Sequence, residues 1–365
     1  MSDVQPVPAV RLDNEDVWNA LEPRIKDLVL RGAFTLGPEL EEFEAAAAAA
    51  FGCGWAVGTS SGTSALFLAL RAAPLPPGAR VAMPANTFFA TFEAAALAGF
   101  TPVIVDHDDD YLIDLDALAR VQADAVIPVH LYGLPVDMVR LRELAAGRGW
   151  WVLEDCSQAH GATVAGRPIG SFGDAAAFSA YPTKNLGAWG DAGFVTGSDP
   201  AVEKTIRSLR HHGQATPNVH GALGGTERLD NLQALVLTEK LERLPRELER
   251  RRSVAARYRE VLEETIPSLP GDRDGRTHAY HQFVVQVDER DEVLAYLRAQ
   301  GVGASVHYPH PVHLQPAAKG RCEVPARPEV AEATAARILS LPIYPSLRDD
   351  EIERVATVLK EVLAR

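Results

Sequence analysis

The sequence predicts an α/β fold, in which a large doubly wound domain is followed by a smaller C-terminal α+β domain. Between about residues 54 and 200, short apolar runs alternate with longer amphipathic runs, and this pattern changes after about residue 228. The alternation is typical of parallel strands covered on both faces by helices, with ligands at the carboxyl ends of the strands. The chain of 365 residues is long enough for two domains, predicted at 1–245 and 246–365.

The elements of the large domain follow from local patterns. A helix is predicted to begin at Pro38, because proline suits a first helical position and acidic residues follow it. Several of the predicted strands are apolar throughout; the strands are Trp55–Gly58, Arg80–Met83, Pro102–Val105, Ala125–Val129, Trp151–Glu154, Ala176–Ser179 and Gly193–Thr196. Helical patterns lie between them, at Thr63–Ala73, Thr87–Leu97 and Asp137–Arg148.

The smaller domain is predicted from mixed patterns. A long charged helical stretch, Arg228–Ile266, is interrupted near Pro245 and joins the two domains. The remaining predicted elements are a strand at Tyr280–Val287, a helix at Glu289–Gln300, a strand at Ala304–His307, and helices at Glu329–Leu339 and Asp349–Leu363.

Composition excludes several classes of protein. The formal net charge is −13, whereas sequence-blind binding to nucleic acid or to an anionic membrane needs basic surfaces. The three cysteines, Cys53, Cys156 and Cys322, show neither disulfide nor zinc spacing, so no metal site is predicted. No apolar run is long enough to span a membrane, and the N-terminal Met1–Val4 lacks the start of a signal peptide. We therefore expect a soluble cytoplasmic protein.

One lysine of the six stands apart from the others. Lys184 follows a predicted buried strand, in a turn of aromatic and small residues, Phe178–Gly187. A lysine at such a strand end is partly desolvated, which lowers its pKa and makes the free amine a nucleophile. A lysine exposed at the end of a strand is the alternative, and spacing alone does not decide between the two.

Two further segments follow strands of the predicted sheet. Glu154 and Asp155 end an apolar strand, where an α/β enzyme can hold a carboxylate that faces a cofactor; a helix cap is the alternative for Asp155. Gly58–Ala65 joins a strand to a helix with small residues, which suits a phosphate at the helix N-terminus. A phosphate cradle, a carboxylate for a ring nitrogen and a Schiff-base lysine are together what pyridoxal 5′-phosphate (PLP) requires.

The same segments make a family resemblance visible. The chain resembles the DegT/DnrJ/EryC1/StrS family of sugar aminotransferases, which are fold-type I enzymes. The motifs that carry the resemblance are Gly32–Gly37, Glu154–Ala162, Gly170–Asp174, Tyr181–Gly187 and Gly190–Gly193. The resemblance covers nearly the whole chain, and it implies a PLP-dependent aminotransferase with a large mixed-sheet domain and a small C-terminal domain.

The resemblance also implies a role for individual residues. Lys184 would form the Schiff base and move protons, Asp155 would pair with the ring nitrogen, and Gln158 would bond the 3-hydroxyl of the cofactor. Gly62 and Thr63 would donate backbone N–H groups to the phosphate, and Ser179 would add a hydroxyl. Phe88 would stack on the ring; a core phenylalanine is its alternative.

Members of this family are typically homodimers whose partner subunit completes the site. The family usually has an asparagine two residues before the arginine of its Arg-Leu-Asp-x-x-Gln motif, reaching the phosphate in the neighbouring subunit. The corresponding position before Arg228 is Thr226 in this chain. The contact therefore falls either to Thr226 or to Asn218.

The resemblance finally implies a reaction and a substrate class. Because Lys184 is present where dehydratase relatives have histidine, transfer of an amino group from L-glutamate to a keto sugar is expected. The stretch Ser305–Pro316 is similar to that of members acting on nucleotide-linked 3-keto-6-deoxysugars. This similarity favours a dTDP-3-keto-6-deoxyhexose as the acceptor. The product would be an amino-deoxysugar for an antibiotic, another natural product or a surface glycan. The predicted substrate contacts are Tyr181, His307, Tyr308 and His313.

Alternatives remain for the substrate and for the function. A 4-keto nucleotide sugar or an aminocyclitol ketone would suit the same chemistry, and a PLP-binding regulatory or scaffold protein is a candidate of another class. The histidines of Ser305–Pro316 could also lie in a rigid surface loop. Because the chain is acidic overall, local cations must bind a diphosphate, and His211, His212 and Arg228 are the candidates.

Overall fold

A computed structural model describes residues 5–365. The segment Met1–Val4, on which the prediction about a signal peptide depends, lies outside the described residues. Eleven α-helices are present in the described part: α1 Glu15–Arg31, α2 Pro38–Ala50, α3 Gly62–Ala72, α4 Phe89–Leu97, α5 Leu115–Leu118, α6 Met138–Arg148, α7 Pro200–Leu209, α8 Asn231–Leu262, α9 Arg290–Ala299, α10 Glu329–Ala335 and α11 Asp349–Leu363. None of these helices of residues 5–365 is long and apolar enough to cross a membrane.

The strands of the same residues build one large sheet and three small ones. They are β1 Trp55–Thr59, β2 Arg80–Pro84, β3 Thr101–Val105, β4 Ala125–Val126, β5 Trp151–Asp155, β6 Thr163–Val164, β7 Arg167–Pro168, β8 Ala175–Ser179, β9 Gly193–Gly197, β10 Gln214–Thr216, β11 Val219–His220, β12 Arg276–Thr277, β13 Phe283–Gln286 and β14 Ile338–Leu341. The large sheet has the order β1-β9-β8-β5-β4-β2-β3. The small sheets are β10-β11, β12-β6-β7 and β13-β14.

The large sheet is mixed because one of its strands is reversed. The pairs from β8 through β5, β4 and β2 to β3 are parallel, whereas β9 runs antiparallel to both β8 and β1. The carboxyl ends of β1, β2, β5 and β8 therefore lie at one edge, together with the start of β9. The segments that follow these four strands contain most of the residues that the sequence marks as functional.

Helices cover both faces of the large sheet. One buried apolar cluster joins the sheet to α3, α4 and α7, through side chains such as Leu66, Phe92 and Ile206. A second cluster joins the opposite face to α2, α6 and the first half of α8, through side chains such as Phe43 and Leu141. Burial of apolar surface on both faces explains why most of these strands are apolar throughout. The predicted doubly wound α/β architecture is confirmed.

The C-terminal region has a core of its own. The second half of α8, the β13-β14 pair, α9 and α11 bury a separate apolar cluster that includes Tyr258, Phe283, Leu297 and Leu339. Val7 from the start of the described chain belongs to the same cluster. Helix α8 is continuous through residue 245, so one rigid element links both regions. The division of the chain at residue 245 stays a prediction.

Three predicted details of the C-terminal region are wrong. Helix α8 has no interruption at Pro245, because the buried Leu241, Leu244 and Leu248 stabilise the helix on both sides of the missing hydrogen bond. Residues Ala304–His307 form an isolated bridge, between Ser305 and Ser340, rather than a strand.

The predicted helix Glu329–Leu339 ends at Ala335, and Ile338–Leu341 is strand β14. Its four residues are all buried and pair in antiparallel register with β13. Residues Ile338–Leu341 form a strand because they pair with β13, which lies more than 50 residues earlier in the chain. A local helical pattern in the sequence cannot reveal such a distant partner.

Candidate active site

A cavity of about 400 Å³ opens at the carboxyl edge of the large sheet. It brings together ten of the residues singled out in the sequence: Gly62, Thr63, Phe88, Asp155, Gln158, Ser179, Tyr181, Lys184, His307 and Tyr308. These residues follow the ends of four parallel strands or come from the segment 305–308. The fold therefore collects them because carboxyl ends of parallel strands meet at one edge.

The N-terminus of helix α3 forms one wall of the cavity. Ser61 caps this helix, with its Oγ accepting a hydrogen bond from Ser64 N at 3.0 Å. A Cβ atom on Gly62 would lie 2.4 Å from Cβ of Ser179, so only glycine fits where α3 approaches the end of β8. The first N–H groups of the helix and the Ser179 side chain thus line the same side of the cavity, which suits a phosphate.

Substitution of Gly62 by alanine should weaken binding of PLP to the apoprotein by at least about tenfold, because the new methyl group pushes Ser179 away from the helix N-terminus. Fluorescence titration of the apoprotein with PLP measures this. Gly147→Ala is the matched control, since a Cβ at Gly147 meets nothing within 4 Å. Equal affinity of the two variants would contradict a phosphate site at this wall.

Asp155 lies at the end of β5 and is 4% exposed. Its Oδ2 accepts a hydrogen bond from Thr91 Oγ1 at 2.9 Å, and its Oδ1 accepts one from Ser157 N at 3.1 Å. These two donors fix the orientation of the carboxylate toward the cavity. The structure thus disfavours the alternative in which Asp155 serves only as a helix cap.

Glu154, the neighbouring acid, has a structural role. Successive side chains of a strand point to opposite faces, and Glu154 is fully buried away from the cavity. Its carboxylate accepts backbone N–H groups of Gly170 at 2.9 Å, Phe172 at 2.8 Å and Gly173 at 2.6 Å. It also contacts His130 Nε2 at 3.1 Å. The carboxylate therefore holds the loop before β8 in place.

The donor atoms of His130, Glu154 and Cys156 lie within 4.8 Å of one another, as in a candidate metal cluster. However, His130 Nδ1 accepts a hydrogen bond from Val136 N at 3.1 Å, and its Nε2 faces Glu154. Both imidazole nitrogens are thus engaged, and the Glu154 oxygens already accept backbone hydrogen bonds. The geometry favours a structural cluster.

Lys184 lines the cavity just after the turn that follows β8. Burial lowers the pKa of its amine to about 8, and the negative charge of Asp155 partly opposes this shift. Because the neutral amine is the nucleophile, a pKa near 8 in place of about 10.5 raises the fraction of free amine at pH 7 by roughly 300-fold.

The rate at which the apoprotein takes up PLP should therefore rise with pH around a midpoint near 8. Below this midpoint the lysine is charged in the folded protein and unreactive, and above it the amine is free. Stopped-flow absorbance between pH 6 and pH 11, corrected for the ionisation of free PLP, gives the profile. A midpoint above pH 10 would contradict the desolvated amine.

A hydrogen-bond network fixes the amide of Gln158. Its Oε1 accepts Tyr132 N at 2.7 Å, so its NH₂ group is the end that faces Tyr308, donating to the hydroxyl at 3.0 Å. One amide hydrogen remains for a ligand in the cavity. Burial raises the pKa of Tyr308, so this hydroxyl stays protonated and can itself donate.

Three further residues predicted from the sequence lie at the mouth of the cavity. Phe88 is 56% exposed and its ring lies 5.5 Å from that of Tyr308, which disfavours the alternative of a core phenylalanine. Tyr181 is exposed at the rim. His307 contacts Ser340 Oγ through Nδ1 at 2.8 Å, and burial, with a contribution from Lys184, lowers its pKa to about 4, so the imidazole is neutral at pH 7.

The structure does not bring every predicted residue to the cavity. His313 lies outside its lining, and its Nε2 contacts Glu332 Oε1 at 3.3 Å, so nothing in this geometry supports a substrate contact by His313, which stays a prediction. The carboxylate of Glu332 orients the imidazole toward α10.

Thr226 and the cation candidates also lie outside the cavity of their own chain. Thr226 is exposed and contacts His212 Nε2 at 3.2 Å, and His211 Nδ1 accepts a hydrogen bond from Arg228 at 3.0 Å. Asn218 lies in the exposed hairpin of β10 and β11. The predicted contact across a subunit boundary stays a prediction.

Several cavity residues were missed in the sequence. They are Thr87, Thr91, Ser157, Thr183, Asp191, His281 and Gln282. Thr87 follows the end of β2 and could have been found by the same argument that found Asp155. No local signal distinguishes His281, which reaches the cavity from the segment before β13.

A lysine, a carboxylate and an open helix N-terminus lie together at one edge of a doubly wound sheet, as expected for a fold-type I aminotransferase. The model of the DegT/DnrJ/EryC1/StrS aminotransferase family matches residues 18–360, and the chain belongs to this family. The predictions of family, fold and enzyme class are thereby confirmed.

Three relatives illustrate the similarity. The UDP-N-acetyl-3-dehydro-alpha-D-glucosamine 3-aminotransferase of Acidithiobacillus ferrooxidans is 42% identical over 91% of this chain and 90% of its own. The dTDP-3-amino-3,4,6-trideoxy-alpha-D-glucose transaminase of Streptomyces venezuelae is 41% identical over 90% and 88%. The crystal structure of NtdA from Bacillus subtilis with bound cofactor PMP has a TM-score of 0.91 at 30% identity, covering 100% of this chain and 86% of that one.

Proposed function

We propose that this aminotransferase uses PLP to move an amino group from L-glutamate to the C3 ketone of a nucleotide-linked sugar, with a dTDP-3-keto-6-deoxyhexose as the favoured acceptor. The observation that carries the proposal is the placement of Lys184, Asp155 and the N-terminus of α3 around one cavity. The reaction exchanges an amine and a ketone, so the donor leaves as a 2-oxo acid.

The residues of the cavity fit the cofactor. The glycine-restricted contact between Gly62 and Ser179 leaves N–H and hydroxyl donors for a phosphate, and the free amide hydrogen of Gln158 suits a phenolic oxygen. Asp155 would offer a carboxylate oxygen to the ring nitrogen. When bound, PLP supplies an electron sink beside the reacting carbon.

The side chains around the reacting carbon would provide covalent attachment, proton transfer and substrate contacts. Lys184 would bind the aldehyde carbon and, once released from it, would carry protons to and from the reacting carbon as a neutral amine. Phe88 would cover the aromatic ring on its exposed side. The exposed Tyr181 and the half-buried Tyr308 would contact the sugar, with the neutral His307 beside them.

The sugar class is supported by the two relatives named above, both of which are named for amino transfer at C3 of a nucleotide-linked sugar. We also propose a homodimer. Leu223, just after the β10-β11 hairpin, is a large apolar side chain that is 87% exposed, and cover by a second copy would remove it from water.

The absorption spectrum of the PLP-loaded protein, before and after L-glutamate, tests the proposal. We expect a band near about 400–430 nm that moves toward about 330 nm as the donor reacts. Mass spectrometry of the products from a panel of 3-keto and 4-keto dTDP and UDP sugars, and from an aminocyclitol ketone, then identifies the acceptor.

The outcomes separate the alternatives. A protein that stays colourless with PLP contradicts the cofactor. A band that ignores L-glutamate, and every other amino donor supplied, favours the regulatory alternative. Preference for a 4-keto sugar or an aminocyclitol ketone would contradict the proposed acceptor but would still support amino transfer. Sedimentation equilibrium tests the homodimer, for which we expect the mass of two chains.

A further inference from the structure

Two threonines behind Asp155 form a hydrogen-bond chain. Thr91 Oγ1 lies 2.9 Å from Asp155 Oδ2 and 2.9 Å from Thr87 Oγ1. Thr91 has no exposed surface and Thr87 is 2% exposed, so water does not compete for these hydroxyls. Thr91 lies in the first turn of α4, and Thr87 lies two residues before the helix, where its hydroxyl still reaches that of Thr91.

The direction of the chain follows from the number of protons. An ionised carboxylate only accepts hydrogen bonds, so Thr91 donates its single hydroxyl proton to Asp155. The Thr91 oxygen can then only accept, and Thr87 must be its donor. Each bond therefore polarises the next toward the carboxylate, which strengthens the final, charge-assisted bond.

The packing of α4 keeps this chain in place. The helix buries Phe92, Ala94 and Ala95 in the apolar cluster on one face of the sheet, so its first turn cannot rotate freely. On the other oxygen of Asp155, Ser157 N donates at 3.1 Å. With one donor on each oxygen, the plane of the carboxylate is fixed, and a second acceptor direction on each oxygen remains for a ligand.

We propose that Thr91, supported by Thr87, is a positioning residue for amino transfer, which holds the Asp155 carboxylate in one orientation toward the ring nitrogen of the cofactor. The inference rests on the proposed function, because the ring nitrogen belongs to PLP. A hydroxyl that donates to one carboxylate oxygen, opposite the Ser157 N–H on the other oxygen, fixes the direction in which the carboxylate faces the cavity. A carboxylate held in this direction would stabilise a protonated ring nitrogen when PLP is bound, and PLP would then supply the electron sink for the reaction.

Comparison of Thr91→Val with Thr91→Ser tests this role. Valine has nearly the shape of threonine without the donor, whereas serine keeps the hydroxyl. For Thr91→Val we expect kcat with L-glutamate to fall about tenfold while KM changes less than about twofold. The lost hydrogen bond acts on the Asp155 carboxylate and not on the binding of L-glutamate. We also expect the pH titration of the bound-cofactor absorbance to shift, and the affinity of apoprotein for PLP to fall severalfold. Thr91→Ser should stay within about twofold of wild type.

Thr238→Val is the matched control. Thr238 is also a buried threonine, but its hydroxyl donates to Ala234 O within α8. The Thr238→Val variant should leave both the pH titration of the bound-cofactor absorbance and kcat unchanged. In an Asp155→Asn background, Thr91→Val should cause no further shift of the titration, because its charged partner is already gone.

Failure of this inference is distinguishable from failure of the proposed function. Wild-type protein that neither binds PLP nor reacts with L-glutamate would overturn both. Wild-type protein that does both, together with a Thr91→Val variant that titrates like wild type or a Thr91→Ser variant as impaired as valine, would overturn only the role of Thr91. If Thr91→Val does not fold by circular dichroism, Thr87→Val decides, with an expected shift in the same direction and a decrease in kcat of about threefold.

Discussion

Replacement of Lys184 by alanine is expected to leave a folded protein in which amino transfer is at least about 10⁴-fold slower, because removal of the covalent nucleophile removes the reaction route itself. The half-buried amine, with its pKa near 8, lies beside Asp155 in the cavity at the carboxyl edge of the sheet. The variant should still bind PLP through the helix N-terminus and Ser179, but without the absorbance band of the lysine-bound cofactor.

Borohydride reduction makes this experiment specific for one residue. Reduction of PLP-loaded wild type should attach the cofactor permanently to the peptide that contains Lys184, as seen by mass spectrometry, and the variant should incorporate none. Lys240→Ala is the matched control, since burial lowers the pKa of Lys240 as well but this lysine does not line the cavity. An unchanged visible spectrum in Lys184→Ala, or labelling at Lys240, would contradict the assignment.

The large sheet was predictable because its signals are local. Six of its seven strands begin and end within one residue of the predicted bounds, and the exception is β4, which is limited to Ala125–Val126. Apolar runs flanked by turns identify strands buried on both faces. The strand Ile338–Leu341 was missed because its partner, β13, is distant in the chain.

The predictable part of the site follows from the same geometry. Asp155, Ser179 and Gly62 lie at or just beyond the ends of their strands, so the topology alone collects them, and Lys184 follows five residues after β8. Thr91 could not be found in this way, since its partner Asp155 is 64 residues away and a threonine in a helical pattern carries no sign of a buried carboxylate. For His313 the sequence shows a histidine near the site, but it cannot show the distant partner Glu332 that the side chain contacts in the fold.

Asp155, the carboxylate proposed to face the ring nitrogen, is the second decisive position. Asp155→Asn keeps the size of the side chain and a carbonyl oxygen for the Ser157 N–H, but it removes the negative charge. Without that charge a protonated ring nitrogen is no longer stabilised, so we expect kcat to fall by about 10³-fold, while affinity for PLP changes less than about tenfold because the phosphate contacts remain. Steady-state kinetics with L-glutamate and fluorescence titration of the apoprotein measure the two effects separately.

Asp191→Asn is the control that makes the Asp155 result interpretable. Among the residues that line the cavity in the described chain, Asp155 and Asp191 are the two carboxylates. Asp191 is exposed at the rim, whereas Asp155 is buried and receives the Thr91 and Ser157 donors. A large loss in Asp155→Asn with little change in Asp191→Asn would therefore assign the ring nitrogen to Asp155. The reverse result would place the reacting ring at the rim and remove the argument for the threonine chain, since Thr91 has no contact with Asp191.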